Sequence, residues 1–272
     1  MNTRSTGITA LGSGSSGNAF VLHCKYANYL IDAGFSRKEL CRRMAHCNIA
    51  PESIRAVLIS HEHTDHVKGA ALFSRKYGAN IHATTLTVKK IQSMAKKDSE
   101  LLPIEKVNYI KPNEKIVIQD LQLYSFPIPH DAEDPVGYTM FDGKSKISIA
   151  TDLGCIPEKL CQIMKNSDIV LLESNHDVQM VKDGTYPQVL KKRILGNYGH
   201  LSNHIAGNFL STIISPKLKH VFLGHLSPEN NTPHQALETI RATLQNNGFP
   251  EKLPFDLHVA PAEEPGALIT LE

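Results

Sequence analysis

The chain has no tryptophan, only 6% aromatic residues, and no apolar run near the roughly 18 residues that a membrane-spanning helix needs. The first two scarcities remove base stacking on aromatic rings as an evident device. The third removes a helical membrane span. The N-terminal stretch MNTRSTGITALGSGSSG carries no apolar core of signal-peptide length, so the expectation is a cytoplasmic protein with no membrane partner. Five cysteines (Cys24, Cys41, Cys47, Cys155, Cys161) form an odd set without a CxxC pair, which speaks against a disulfide framework and against a cysteine zinc site. No sign of charge dominates: 29 basic and 27 acidic residues leave a formal +2, and the basic pairs are scattered, so charge alone announces no nucleic-acid partner. Low-complexity linkers and internal repeats are missing too. One domain over residues 1–272 is the simplest organisation.

What is present can bury a large core, since 41% of 272 residues are hydrophobic. Short β-branched runs alternate with helical patterns, as in an α/β domain whose sheets are covered by helices. Strands are expected at 19–24, 28–32, 56–60, 121–126, 146–151, 168–173, 220–224, 256–260 and 267–271. Ser36 with Glu39 reads as a capping box opening RKELCRRMAH, and Gly78 reads as the stop after VKGAALFSRKY. Thr232 and Pro233 open HQALETIRATLQNN, which Gly248 closes.

The chemistry gathers in SHEHTDH, residues 60–66, directly after the apolar run AVLI. An HxHxDH pattern at the carboxyl edge of a strand sends His61 and His63 to one side and leaves Asp65 and His66 for another. Imidazole nitrogens and a carboxylate suit zinc, manganese or iron. The arrangement recurs downstream, each time as an apolar strand followed at once by a potential ligand: LQLYSFPIPHD delivers His130, KISIATDLG delivers Asp152, and HVFLGHLSPENN delivers His225. These seven residues supply two divalent cations, with His61, His63 and His130 on one, Asp65, His66 and His225 on the other, and Asp152 as the bridge.

With Gly69 behind its HxHxDH signature, the chain resembles the metallo-β-lactamase superfamily. LGSGSSGNAF, LIDAGFSRKEL, SHEHTDHVKGA, TDLG, ESNHD, GHLSN and LGHLSPENNTP together resemble its YycJ (WalJ) group of predicted hydrolases and DNA exonucleases. The resemblance implies an α/β fold, the four-layer αββα sandwich, with a dinuclear metal site at one edge. It also implies that Asp32 of LIDAG supports the ligand loop.

Two cations about 3.5–4 Å apart hold a water, lower its pKa towards neutrality and neutralise charge on a phosphoryl or carbonyl oxygen. The expected nucleophile is then a hydroxide, and Asp65 serves in catalysis as well as ligation. A departing alkoxide needs a proton from a nearby acid, for which Glu173, His176 and His200 are the candidates. The ribonuclease Z branch uses a glutamate and a histidine in comparable motifs as a proton-delivering pair, and Glu173 with His200 match that order. Ser15 and Asn18 of the loop GSGSSGN, and Ser202 at the start of the helix SNHIAGNFLST, are candidate substrate contacts, because backbone amides and hydroxyls there can approach an anion.

Departures from relatives narrow the field. Only 21 residues separate His130 from Asp152, which leaves no space for the arm by which ribonuclease Z grips transfer RNA. Between Asp152 and His225 lie 72 residues, too few for the extra domain of β-CASP nucleases. The reading is a metal-dependent phosphodiesterase acting on nucleic acid, a DNA exonuclease whose 5′ to 3′ polarity is implied by the group alone. One alternative is a hydrolase of small phosphodiesters or thioesters. Another is a non-catalytic regulatory partner of an envelope signalling system, against which the complete ligand set argues. The native metal and the oligomeric state stay open.

Overall fold

The computed structural model describes residues 5–271; Met1 to Arg4 and Glu272, including the first residues of the N-terminal stretch read above, lie outside the described residues. The chain forms two compact units. Unit 1 takes the residues up to Pro127, Ala132–Lys144, and those from Pro261 onward, while unit 2 takes Ile128–Asp131 and Ser145–Ala260.

In unit 1, β2 (Ala19–His23) runs antiparallel to both β1 (Gly7–Gly12) and β3 (Asn28–Ile31). β4 (Ile54–Leu58), β5 (Asn80–Thr84) and β6 (Val107–Ile110) then continue the sheet in parallel from β3. Strands β3 and β4 are covered on both faces and read as the near-continuous apolar runs YLI and AVL, as central parallel strands must. Outside that sheet, β7 (Lys115–Ile118), β8 (Leu121–Pro127) and β9 (Val136–Phe141) follow one another as an antiparallel meander.

Among the described residues the α-helices of this unit are α1 (Arg37–His46), α2 (Thr64–Val67), α3 (Ala70–Tyr77) and α4 (Thr85–Met94). Leu40 and Met44 of α1 and Phe73 of α3 enter the core with Leu30 and Val57. The Ser36 hydroxyl accepts the Glu39 N–H at 3.3 Å. Glu39's carboxylate pairs with Arg42 and Arg43, so half of the capping box forms. Gly78 stops α3 in the left-handed conformation, at φ 73°.

In unit 2, β10 (Lys146–Ala150), β11 (Ile169–Glu173), β12 (His220–Gly224) and β13 (Asp256–Val259) are parallel in that order. Its helices are α5 (Leu160–Met164), α6 (Val178–Asp183), α7 (Gln188–Ile194), α8 (Asn203–Ile213) and α9 (Pro233–Asn246). Helices α8 and α9 approach closely at Gly207, where a Cβ would stand 2.9 Å from that of Thr243. As the sequence signals require, the Thr232 hydroxyl caps α9 by accepting the Gln235 N–H at 3.0 Å. From Pro261 the chain returns to unit 1, where β14 (Ile269–Thr270) pairs antiparallel with β1.

All five cysteines are free of disulfides. Among the described residues no helix is long and apolar enough to cross a membrane.

Candidate active site

Each unit carries its own group of expected site residues. In unit 1, β4 ends at Leu58, His61 and His63 lie on the connecting loop, and Asp65 and His66 lie in the first turn of α2. His61 Nε2 stands 3.1 Å from His63 Nδ1. Asp32, immediately after β3, is buried and organises this loop. Its Oδ1 accepts the Ser60 N–H at 2.8 Å, and its Oδ2 accepts the Ser60 hydroxyl at 2.8 Å and lies 2.7 Å from His66 Nδ1. A carboxylate takes the proton-bearing ring nitrogen, which fixes the His66 tautomer and assigns Nε2 to any metal. Ser60 Oγ also lies 3.0 Å from His61 Nδ1.

The glycine-serine loop braces the same turn from the other side. Asn18 is fully buried, with its amide 3.3 Å from Asp65 Oδ2 and 3.1 Å from His66 Nε2, while its Oδ1 accepts the Gly14 N–H at 2.9 Å. The backbone continues the clamp, since the Asn18 N–H donates to Asp65 O at 2.7 Å and the Gly34 N–H donates to Asn18 O at 2.9 Å. Only glycine fits at position 34, where a Cβ would come within 1.7 Å of Asp65 O. The Tyr138 hydroxyl donates to Ile59 O at 2.5 Å, and burial, helped by the Asp32 charge, pushes that phenol well above its usual range.

Unit 2 gathers His130, Asp152, Glu173, His200 and His225. His130 Nδ1 donates to Gly199 O at 3.2 Å, which sets Nε2 3.7 Å from Asp152 Oδ1. Burial lowers the pKa of this imidazole, opposed by the Asp152 charge. Glu173, the last residue of β11, is fully buried and accepts from four donors. Its Oε1 takes His200 Nδ1 at 2.8 Å and His225 Nδ1 at 3.0 Å; its Oε2 takes the Leu153 N–H at 2.7 Å and the Leu201 N–H at 3.0 Å. Burial alone would raise this carboxyl, yet His200 and His225 outweigh it and hold Glu173 well below the usual carboxylate range.

Asp32, Asp152 and His225 share a backbone peculiarity. Each lies within two residues of a strand's end, and each sits at positive φ, 56°, 59° and 55°. Non-glycine residues rarely adopt that conformation, and it clusters where a fold aims functional side chains. In these three cases it turns the chain sharply at the strand's carboxyl end.

The remaining candidates fall differently. His176 is buried, its pKa pushed down to about 4 by burial, and its carbonyl accepts the Asn203 N–H at 2.9 Å. Ser202 is buried too, its hydroxyl spent on the N-cap of α8, accepting from Ile205 N at 3.3 Å. Ser15 is exposed. Sequence reasoning missed three parts of the framework: Ser60 as the hub between Asp32 and two histidines, Gly34, and the second histidine on Glu173. The signal for Ser60 was its place directly before His61. The others are properties of tertiary contact.

Tetrahedral coordination at bond lengths near 2.0–2.1 Å sets neighbouring nitrogen ligands about 3.3 Å apart, close to the separation of the facing His61 and His63 nitrogens. In unit 2 the ring nitrogens turned to Glu173 and Gly199 repeat the outer-shell pattern that orients metal-ligating histidines. The donor sets, imidazole with carboxylate, fit divalent cations.

Comparison with known proteins agrees with this architecture. The family model described as a beta-lactamase superfamily domain matches residues 27–218. The exodeoxyribonuclease WalJ of Streptococcus pneumoniae serotype 2 (strain D39 / NCTC 7466) is 35% identical over 233 residues, covering 85% of this chain and 85% of that protein. The exodeoxyribonuclease YycJ of Bacillus anthracis is 30% identical over 253 residues, 92% of this chain and 94% of that protein. The crystal structure of the metallo-beta-lactamase fold protein YhfI from Bacillus subtilis superposes with a TM-score of 0.71 at 13% identity, covering 97% of this chain and 99% of that one, which establishes the α/β fold expected from the motifs. With its HxHxDH turn, the histidines and aspartates at its strand ends and these matches, the chain belongs to the beta-lactamase superfamily, in the family of the WalJ and YycJ exodeoxyribonucleases.

Proposed function

We propose that this chain is a metal-dependent phosphodiesterase, a DNA exonuclease working 5′ to 3′, and that residues 1–272 act as one functional domain. The single observation that carries this reading is the buried Glu173 carboxylate bonded to His200 Nδ1. Thiolates leave without help, whereas an alkoxide leaving from phosphorus needs a proton at the moment of departure. A histidine fixed by a buried carboxylate supplies it. The exodeoxyribonuclease names of the two relatives support DNA as the polymer, and the free cysteines support a cytoplasmic setting.

His61, His63, Asp65 and His66 of unit 1 and His130, Asp152 and His225 of unit 2 are the residues assigned to two divalent cations, zinc, manganese or iron. When bound, such cations act as Lewis acids that activate water and offset charge on the phosphoryl oxygens. The protein's own groups do the rest. Asp32 and Asn18 hold His66 and Asp65 in place, and Asp65 accepts a hydrogen bond from the attacking water. His200 gives a proton from Nε2 to the leaving oxygen, and Glu173, which never meets the substrate, positions that ring and offsets its charge. Ser15 is assigned to contact the nucleic-acid backbone; Asn18 and Ser202 act on substrate only through the loop and helix they secure.

The test is to incubate metal-reconstituted protein with end-labelled single- and double-stranded DNA and RNA, and with a chromogenic phosphodiester. A ladder shortening from the 5′ end is expected, absent in Asp65→Ala. His200→Ala should slow cleavage by about 10² to 10⁴-fold while metal content stays unchanged. Equal activity of Asp65→Ala would overturn the mechanism. Turnover of the chromogenic ester alone would replace the exonuclease by a small-phosphodiester hydrolase.

A further inference from the structure

The amino ends of β12 and β13 carry a second cluster of ligating side chains. The two strands run parallel with His220 opposite Asp256 and Phe222 opposite His258. Side chains alternate along a strand, so these four project from one face of the sheet of unit 2. There His258 Nε2 stands 3.3 Å from His220 Nδ1, which in turn lies 3.5 Å from Asp256 Oδ2. One ligating atom from each of the three lies within 4.8 Å of the other two. His220 opens β12 and Gly224 closes it. At a rise of about 3.3 Å per residue the cluster is therefore about 13 Å from the strand end that leads into His225.

The spacing is that of a coordination shell. Tetrahedral zinc sets neighbouring ligand atoms about 3.3 Å apart, and both measured separations come close to that. Each imidazole can carry its proton on the far nitrogen and leave the facing one as a lone pair. The surroundings hold this arrangement in place. Phe222 stacks on His258, with ring centroids 4.8 Å apart and planes inclined by 25°. The Asp256 N–H donates to Lys219 O at 2.8 Å, and the His220 N–H donates to Asp168 O at 3.2 Å. The Asp256 side chain is 74% exposed and that of His220 16%, so the cluster is open to an entering cation and to a water in the fourth position.

We infer that His220, Asp256 and His258 bind a divalent transition cation, zinc above all, and that this ion clips the amino end of β13 to that of β12. Two imidazoles and a carboxylate suit zinc, whereas calcium and magnesium take shells of oxygen. Between the two strands the chain passes through α9. The ion therefore closes that loop, and its binding free energy goes to the folded state. This site is separate from the residues assigned to the two cations at the strands' carboxyl ends and does not rest on the phosphodiesterase reading.

The test is a titration of the full, chelator-stripped chain with zinc chloride alone, followed by nitrogen NMR of the histidine rings assigned in the unsubstituted chain. His220 Nδ1 and His258 Nε2 should shift together and saturate, and magnesium chloride should leave both unmoved. The same response is expected in Asp65→Ala, which alters only the other set of residues. Asp256→Asn changes an exposed side chain that the fold tolerates. It should weaken zinc at this site at least about tenfold, because losing even an outer partner of a bound metal costs that much. Rings that never respond to zinc would be a hydrogen-bonded pair of imidazoles only, and would overturn the inference. So would a response that Asp256→Asn leaves unchanged, or one that disappears in Asp65→Ala.

Discussion

Single residues here answer to burial before anything else. His82 on β5 is buried, its Nδ1 finds no partner among the described residues, and desolvation pushes its pKa down to about 4 from the ordinary 6.5. Between those values the unfolded chain binds the proton and the folded one does not. Stability is therefore fully present above pH 6.5 and is lost as pH falls towards 4, by about 3 kcal/mol over the window. Urea unfolding of His82→Phe beside the unsubstituted chain, at several pH values from 7 to 4, should show the variant losing that much less; parallel curves would refute the assignment. At position 34 the constraint is space. The methyl group of Gly34→Ala would collide with the carbonyl of Asp65, so the variant should unfold about 1–3 kcal/mol more easily. It should also take up divalent cation more weakly in a titration, because the displaced residue is itself an expected ligand.

At the scale of elements, capping can be tested on its own. Thr232→Ala leaves the Gln235 amide without its acceptor and should cost about 1 kcal/mol, read as a fall in Tm. Ser36→Ala should cost less, since Glu39 faces Arg42 and Arg43 and never closed the reciprocal bond. The same elements show what could be read from sequence. Strands β3, β4, β11 and β12 were legible because buried parallel strands are written as largely apolar runs, β10 by its alternating isoleucines, and the expected ligands were legible because they come just after strands. Strand β7 was not: Lys115–Ile118 lies at the end of the meander with Val117 exposed, so its pattern carries no core signal. TLTVKKIQSM hid α4 behind β-branched residues, although Val88 and Ile91 bury one helical face and Thr84 caps the start. Nor could sequence reveal that Asp32, Asp152 and His225 bend the chain at positive φ, since no glycine marks those turns.

Divalent cation should act on the stability of the whole molecule. A cation held by the folded state at a hundred times its Kd adds about 2.7 kcal/mol, so chelation is expected to lower the Tm. In Asp65→Ala the same chelator should move the Tm less, and an equal shift in both would remove this residue from the ligand set. The division into two units was not legible, because the chain crosses between them at Pro127, Asp131, Lys144 and Ala260 without any change of composition. Glu173, meanwhile, ties the segments that carry Leu153, Leu201 and His225 to one carboxylate. Those segments cannot fray one at a time: in heavy water the amides of Leu153 and Leu201 should trade hydrogen for deuterium at a common, slow pace, and Glu173→Gln should quicken both together.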